Sequence, residues 1–316
     1  MFTPSKFVSD AVNSLSELKG DAVIAVSGGI DSTVAAALAH KAFGKRLHPV
    51  FVDTGFLRKD ETAQVRRVFS RMGIEIKIVD ASDRFFTSLE GVTDPEIKRK
   101  TIGESFIRVF EKEAKVFDAE YLIQGTIAPD WIESGSGIRD TIKSHHNVGG
   151  LPEKFGLKII EPLRDLYKDE VRAVAKELTI AQEGAWKQPF PGPGLAIRVI
   201  GEVTRERVEI CREANAIVCE EIFSAFEKKE IPLPWQYFAA LLSSRSTGVQ
   251  GDVRAYGYTV AIRAVEAADG MTASYSRIPH VVLERISRRI TNSMKDKVNR
   301  VVYDITDKPP ATIEWE

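Results

Sequence analysis

The string Ser27-Gly28-Gly29-Ile30-Asp31-Ser32-Thr33 points most directly to chemistry. It follows the apolar run Asp21-Ala22-Val23-Ile24-Ala25-Val26 and opens an alanine-rich stretch, so it reads as a turn from a strand into a helix. Adjacent glycines let backbone N–H groups close on an anion, and a helix N-terminus adds about half a positive charge. Ser27, Ser32 and Thr33 offer hydroxyl donors to phosphate oxygens. Asp31 would repel a phosphate on its own; Mg²⁺ lying between the two explains it. A capped helix also favours Gly and Ser at its start, but the whole string at the carboxyl end of a strand reads as a phosphate cradle. It has neither the lysine of a GxxxxGK[ST] loop nor the GxGxxG spacing.

Other residues could serve the same chemistry. Val52-Asp53-Thr54-Gly55 ends a second apolar run. A carboxylate there can accept from a ribose and Gly55 leaves room for a flat base, although a plain helix-entry turn would look alike. Residues 126–157 hold Gly135, Gly137, Gly149, Gly150 and Pro152 with few apolar positions, the composition of a lid or binding loop. Within it Asp130 and Glu133, three apart, fall on one side of a helical turn and could hold Mg²⁺ or align reactants. Lys143 could neutralise phosphate charge in a transition state, and His145 and His146 could bond phosphate or shuttle protons. Solvated surface is the competing account of all five. Gln250 offers both a donor and an acceptor to a base or ribose. Lys308 precedes two prolines that fix an extended rod, which aims its ammonium at a phosphate. Glu314 can accept purine or ribose hydrogen bonds, and the neighbouring Ile313 and Trp315 want cover.

Positioning these residues falls to alternating elements. A helix over 1–19 precedes a strand at 21–26, and the pattern continues with a helix at 31–42, a strand at 48–53, a helix at 59–72 and a strand at 75–79. A long helix at 95–117, strands at 121–125 and 158–160, and a helix at 168–178 complete it. This order predicts an α/β fold, a parallel sheet with helices on both faces, over a first domain of residues 1–188. Phe190-Pro191-Gly192-Pro193-Gly194 marks the boundary. The remainder, 189–316, predicts a smaller α+β domain, with helices near 204–229 and 279–293 and strands near 252–265 and 298–305. Arg254, Tyr256, Tyr258, Val260 and Ile262 alternate along one strand face, as either core or dimer contact.

Composition narrows the function classes. The 316 residues carry 44 basic and 45 acidic side chains, a net charge of −1, which gives no global pull toward nucleic acid or an anionic membrane. Two cysteines exclude a disulfide framework. Cys211 and Cys219 lie in a helix whose apolar stripe runs Val208, Cys211, Val218 and Ile222, and both read as small buried hydrophobes. The N-terminus lacks signal-peptide character and no apolar run is long enough to span a membrane, so the expected address is cytoplasmic.

The SGGxDS string resembles the pyrophosphatase loop of adenine-nucleotide α-hydrolase-like enzymes, which implies ATP cleaved between its α and β phosphates. The segments at 124–134, 142–152, 161–166 and 190–195 and the terminus Lys308-Pro309-Pro310-Ala311-Thr312-Ile313-Glu314-Trp315-Glu316 resemble the GMP synthetase family in order over essentially the whole chain. That resemblance implies ATP-dependent amination of XMP through an adenyl-XMP intermediate. It implies ATP contacts at Ser27, Gly28, Gly29, Ile30, Asp31, Ser32, Thr33, Val52, Asp53 and Gly125, and a metal at Asp31 and Asp130. It places catalysis on Asp130, Glu133, Lys143, His145 and His146, and XMP on Arg99, Gln250, Lys308, Ile313 and Glu314. It also implies a homodimer through the second domain. Many members carry an N-terminal glutamine amidotransferase domain; none fits in front here, so ammonia is expected from a separate amidotransferase subunit. A tRNA-thiolating enzyme or an ATP-binding regulatory module could share the loop. The first would want a well-placed sulfur-carrying cysteine and a basic surface; the second would need no lid carboxylates.

Overall fold

A computed structural model describes residues 2–129, 157–180, 188–250, 253–268 and 270–316. They form two compact units. The first takes Met1–Gly55, Asp60–Ser82 and Gly103–Lys187; the second takes Phe56–Lys59, Asp83–Ile102 and Gln188–Glu316.

The strand Ala22–Ala25 (β1) lies at the centre of the first unit, with Ala22, Val23 and Ile24 wholly out of solvent. Burial on both faces explains why its sequence is continuously apolar rather than alternating. Leu47–Asp53 (β2) and Lys77–Asp80 (β3) extend the sheet on one side; Tyr121–Ile123 (β4) and Lys158–Ile160 (β5) extend it on the other. All pairings are parallel and the order is β3-β2-β1-β4-β5. The chain builds outward from β1 and then returns to its other flank, so the direction reverses between β1 and β4. The helices α1 (Pro4–Ser16), α2 (Ile30–Phe43) and α6 (Lys168–Glu177) pack on one another. Residues 32–39 of α2 are all buried, hence its alanines and its lack of a polar stripe. Asp31 in its first turn and His40 and Lys41 in its last complement the helix dipole. The other helices of this part of the chain are α3 (Glu61–Arg71), α4 (Ser82–Ser88) and α5 (Pro95–Val116).

In the second unit Gln236–Gln250 (β6) and Val253–Glu266 (β7) form a long antiparallel hairpin. Ser274–Tyr275 (β8) pairs antiparallel with β7 and Val298–Tyr303 (β9) pairs parallel with it, so this sheet is mixed. Helix α7 (Arg205–Glu227) packs on β6 and on α8 (His280–Ser293). Between the helices Arg289 bridges Glu220 at 2.6 Å and Glu221 at 2.8 Å, while Arg285 bridges Glu221 at 3.2 Å and Glu230 at 2.7 Å. Burial alone would raise the Glu221 carboxyl, but hydrogen bonds from Arg289 and Arg285 overcome it and hold the group below its ordinary value.

Besides the two-residue β8, two elements go beyond what the sequence pattern signals. Helix α4 is one; in the second unit its Phe85 and Phe86 set their rings edge-on to Phe56 at 6.2 and 4.9 Å. Strand β6 is the other, because Gln236 to Leu241 are all buried and carry no period-2 signal. The alternating stripe of β7 divides: Val260 and Ile262 are core, whereas Tyr256, nearer the turn, is 63% exposed.

Candidate functional site

The β1 ladder ends with Val26 N–H donating to Val50 O at 2.8 Å, and the chain turns at once into α2. Gly28 makes that turn at φ +76°, a conformation only glycine adopts cheaply. Gly29 is the N-cap and no side chain caps it, which leaves the first-turn N–H groups without a helical partner. Ser27 Oγ accepts from Gly29 N–H at 3.3 Å and faces Ser32 Oγ at 3.1 Å. The hydroxyls of Ser32 and Thr33, both buried, donate to Gly29 O at 3.1 and 2.8 Å. The sequence suggests those two hydroxyls for phosphate oxygens; in the fold they brace the turn, beside the first-turn backbone N–H groups that can donate to an anion.

Gly125 leaves β4 beside this turn. A Cβ placed on it would stand 2.9 Å from Ser32 N and 3.0 Å from both Asp31 C and Ser32 Cα. Only glycine permits that approach, which joins the exits of β1 and β4 where the strand order reverses. Ligands of open α/β sheets bind at such a switch point.

Spacing along the chain gives no hint of Lys168. It lies 137 positions beyond Asp31, opens α6, and sets Nζ 2.5 Å from Asp31 Oδ2. Asp31 Oδ1 is buried and has no hydrogen-bond partner among the described residues. A buried, unpaired carboxylate oxygen beside an anion cradle fits a hard cation such as Mg²⁺. Among the described residues no group of three or more His, Cys, Asp or Glu could hold a metal, so phosphate oxygens and water would supply most of the ligands, as is usual for Mg²⁺.

At the end of β2, Asp53 Oδ1 accepts from Gly55 N–H at 2.9 Å and Oδ2 from the Thr62 hydroxyl at 2.7 Å. The carboxylate therefore shapes the turn, and each oxygen keeps a lone pair. Val52 is buried beside it. Asp130, Glu133, Lys143, His145 and His146, with most of the 126–157 stretch, lie outside the described residues.

In the second unit the tail forms one wall of a cleft of about 490 Å³. Residues 302–306 line one side; Ala311, Thr312, Glu314 and Trp315 line the other. Beneath it the fully buried Arg263 donates to Thr306 O at 2.5 Å and Thr312 O at 3.1 Å, tying the two walls. Glu314 is gripped by Arg198 and Gln236. Glu316 accepts from the fully buried Lys98 and from Gly201 N–H at 2.8 Å. Burial drives the Lys98 ammonium below its ordinary pKa, against the pull of Glu316. Arg99 bonds Glu96 at 2.5 Å and the Glu316 backbone oxygen. The structure thus brings Arg99 and the tail together.

The expectation of an extended rod fails here. Residues 309–311 turn, with Ala311 N–H donating to Asp307 O at 3.0 Å, instead of running as an extended rod. Lys308 bonds Gly270 O at 2.8 Å rather than projecting; Ile313 lies half-buried near Gly270. Gln250 stands at the far end of the β6–β7 ladder from Gln236: the two pair with Val253 and Val265, roughly 40 Å apart at ~3.3 Å per residue, so within one chain the ladder sets it far from Glu314. Cys211 is buried and its thiol is pushed up to about 12 by burial; burial raises the Cys219 thiol too. Neither is a ready nucleophile. No helix among the described residues is long and apolar enough to cross a membrane.

A parallel sheet with a lysine-free Gly-Gly turn at its switch point agrees with the class to which the sequence resemblance points, the ATP pyrophosphatases of the adenine-nucleotide type. Residues 3–106 match the family model described as NAD synthase, and residues 221–315 match that described as GMP synthase C terminal domain. Two relatives are single subunits of a glutamine-hydrolyzing GMP synthase. The chain is 60% identical over 314 residues to the one from Pyrococcus furiosus, covering 98% of this chain and 97% of that protein. It is 59% identical to the corresponding protein of Thermococcus kodakarensis, covering 98% and 99%. It is 56% identical to the glutamine-hydrolyzing GMP synthase of Clostridium botulinum, over 99% of this chain but 61% of that protein. The chain belongs to the GMP synthase family.

Proposed function

We propose that this chain is the synthetase component of a two-subunit GMP synthase. It aminates XMP to GMP with ATP, releasing AMP and pyrophosphate. The near-end-to-end match to the Pyrococcus and Thermococcus proteins carries this reading; a separate glutamine amidotransferase subunit supplies the ammonia.

The xanthine 2-oxygen leaves poorly. Its attack on the α-phosphate makes adenyl-XMP, from which AMP leaves readily when ammonia attacks C2. In this scheme the first-turn N–H groups of α2 hold the phosphates, Gly28 and Gly29 admit them, and Ser27, Ile30, Ser32 and Thr33 set the turn. Lys168 neutralises phosphate charge. Asp31 and Asp130 would hold Mg²⁺, and the chemistry such an ion supplies when bound is screening of phosphate charge. Val52, Asp53 and Gly125 face the nucleoside and phosphates. Asp130, Glu133, Lys143, His145 and His146 serve a lid that aligns the reactants and excludes water.

XMP is assigned to the tail cleft, with Arg99, Lys308, Ile313 and Glu314 as its contacts. Lys308 must then release Gly270 to meet a phosphate. Gln250, at the far end of the β6–β7 ladder, is assigned to the cleft of a second copy of the chain in a homodimer built on that hairpin. The cytoplasm is the compartment this chemistry fits.

The test is product analysis with α- and γ-labelled ATP, XMP, Mg²⁺ and ammonium. AMP, pyrophosphate and GMP are expected. ADP and orthophosphate, or turnover without XMP, would overturn the reading, and deamido-NAD as substrate would identify the NAD synthetase relative instead.

A further inference from the structure

Glu314 is held by three hydrogen bonds from two buried side chains. Arg198, 1% exposed, donates Nε–H to Glu314 Oε2 at 2.9 Å and Nη2–H to Oε1 at 2.7 Å. Gln236, 3% exposed, donates Nε2–H to the same Oε1 at 2.7 Å. Neither donor is free to move. The Arg198 guanidinium lies over the rings of Phe238 at 4.1 Å and Phe190 at 5.1 Å, and its Nη1 donates to Asn215 Oδ1 at 3.3 Å. Gln236 also donates to Pro189 O at 3.3 Å.

A carboxylate has about four lone-pair sites, two per oxygen. Both sites of Oε1 are occupied, one by Arg198 and one by Gln236. One site of Oε2 is occupied by Arg198. A single acceptor site remains, on Oε2, and Glu314 lines the cleft. We propose that Arg198 and Gln236 are positioning residues that aim this one remaining acceptor at an N–H of the xanthine ring, and so help select an oxopurine. The proposal rests on the assignment of XMP to the tail cleft. A purine edge carrying a ring nitrogen lone pair in place of the N–H would meet the lone pair of Oε2 and be repelled, so the arrangement selects by charge sign as well as by fit.

A double-mutant cycle tests it on the full chain, with steady-state kinetics for XMP and for ATP. Gln236→Met removes one of the three bonds and keeps the side-chain volume. It is expected to raise KM for XMP about 10-fold, the worth of one hydrogen bond to a charged group, with KM for ATP and kcat unchanged. Glu314→Gln is expected to raise KM for XMP at least as much, and adding Gln236→Met to it should have no further effect. Arg198→Lys, which keeps the charge and loses the fork, should resemble Gln236→Met. Independent, multiplying effects of Gln236→Met and Glu314→Gln, or a rise in KM for ATP equal to that for XMP, would reduce the two residues to packing and overturn the proposal. If Glu314→Gln alone leaves KM for XMP unchanged, the cleft assignment itself fails. If it raises KM while Gln236→Met and Arg198→Lys do not, only the positioning role fails. Should Arg198→Lys not fold, the Gln236→Met arm still decides.

Discussion

Replacing Gly125 by alanine probes the joint between the phosphate loop and β4 with a single methyl group. The added Cβ would sit 2.9–3.0 Å from three backbone atoms of Asp31 and Ser32, none of which can rotate aside. Ordinary carbon contacts lie at ~3.5–4.0 Å, so the first turn of α2 and the exit of β4 must part by about half an ångström. Overpacking of this kind costs ~1–3 kcal/mol, which at ~2–4 °C per kcal/mol lowers Tm by roughly 2–12 °C. The catalytic effect should exceed that of generic destabilisation. A displacement of about 1 Å can cost ~10²-fold in rate, so half of it is expected to lower kcat/KM for ATP about 10-fold. Pyrophosphate release is followed against ATP concentration at saturating XMP and ammonium, well below the melting point. KM for XMP, measured at saturating ATP, should not move. A variant with lowered Tm and full kcat/KM for ATP would show that the close approach serves packing alone and would refute the switch-point reasoning.

Lys168→Met removes an ion pair whose lysine is 47% exposed, so the loss of stability should stay under ~1 kcal/mol. If Lys168 meets ATP phosphates, kcat/KM for ATP falls ~10–150-fold, the worth of a charge-assisted bond; unaltered ATP kinetics would remove it from the site. Iodoacetamide at pH 8 should leave ammonia-dependent GMP formation intact, because burial holds the Cys211 thiol at about 12 and raises that of Cys219; rapid inactivation would contradict the inert reading of both. Deleting residues 308–316 should raise the XMP requirement sharply and spare ATP binding. It also strips Arg198 and Lys98 of their carboxylates, so Tm should fall by the equivalent of ~3–5 kcal/mol. Native XMP affinity in the truncated, folded protein would refute the tail assignment.

The parts of this molecule written in local pattern are legible in its sequence. Val23 and Ile24 announce a two-sided strand, and Ser27 to Thr33 announce an anion cradle. What depends on distant pairing is not. Nothing near Lys168 marks it as the neighbour of Asp31, and by local pattern Gly125 is only the last residue of a strand until β4 is laid beside β1. Tyr237 to Leu241 form an apolar run whose lack of alternation hides β6. In sequence the tail looks like a projecting arm because Pro309 and Pro310 suggest a rod, whereas burial of Lys98 and Arg198 draws Glu316 and Glu314 inward.

Segments Phe56–Lys59 and Asp83–Ile102 belong to the second unit although the chain on either side of each belongs to the first. Leu195 N–H bonds Phe56 O at 2.7 Å, and Gly194 comes so near that carbonyl that a Cβ would stand 2.4 Å from it. A nick between 187 and 188 would therefore not yield two self-sufficient fragments, since the carboxy-terminal piece would lack Phe56, Lys98 and Arg99. Genetic shuffling can exchange modules where a polypeptide crosses from one to the next once; here it crosses five times, so no single junction separates one unit from the other.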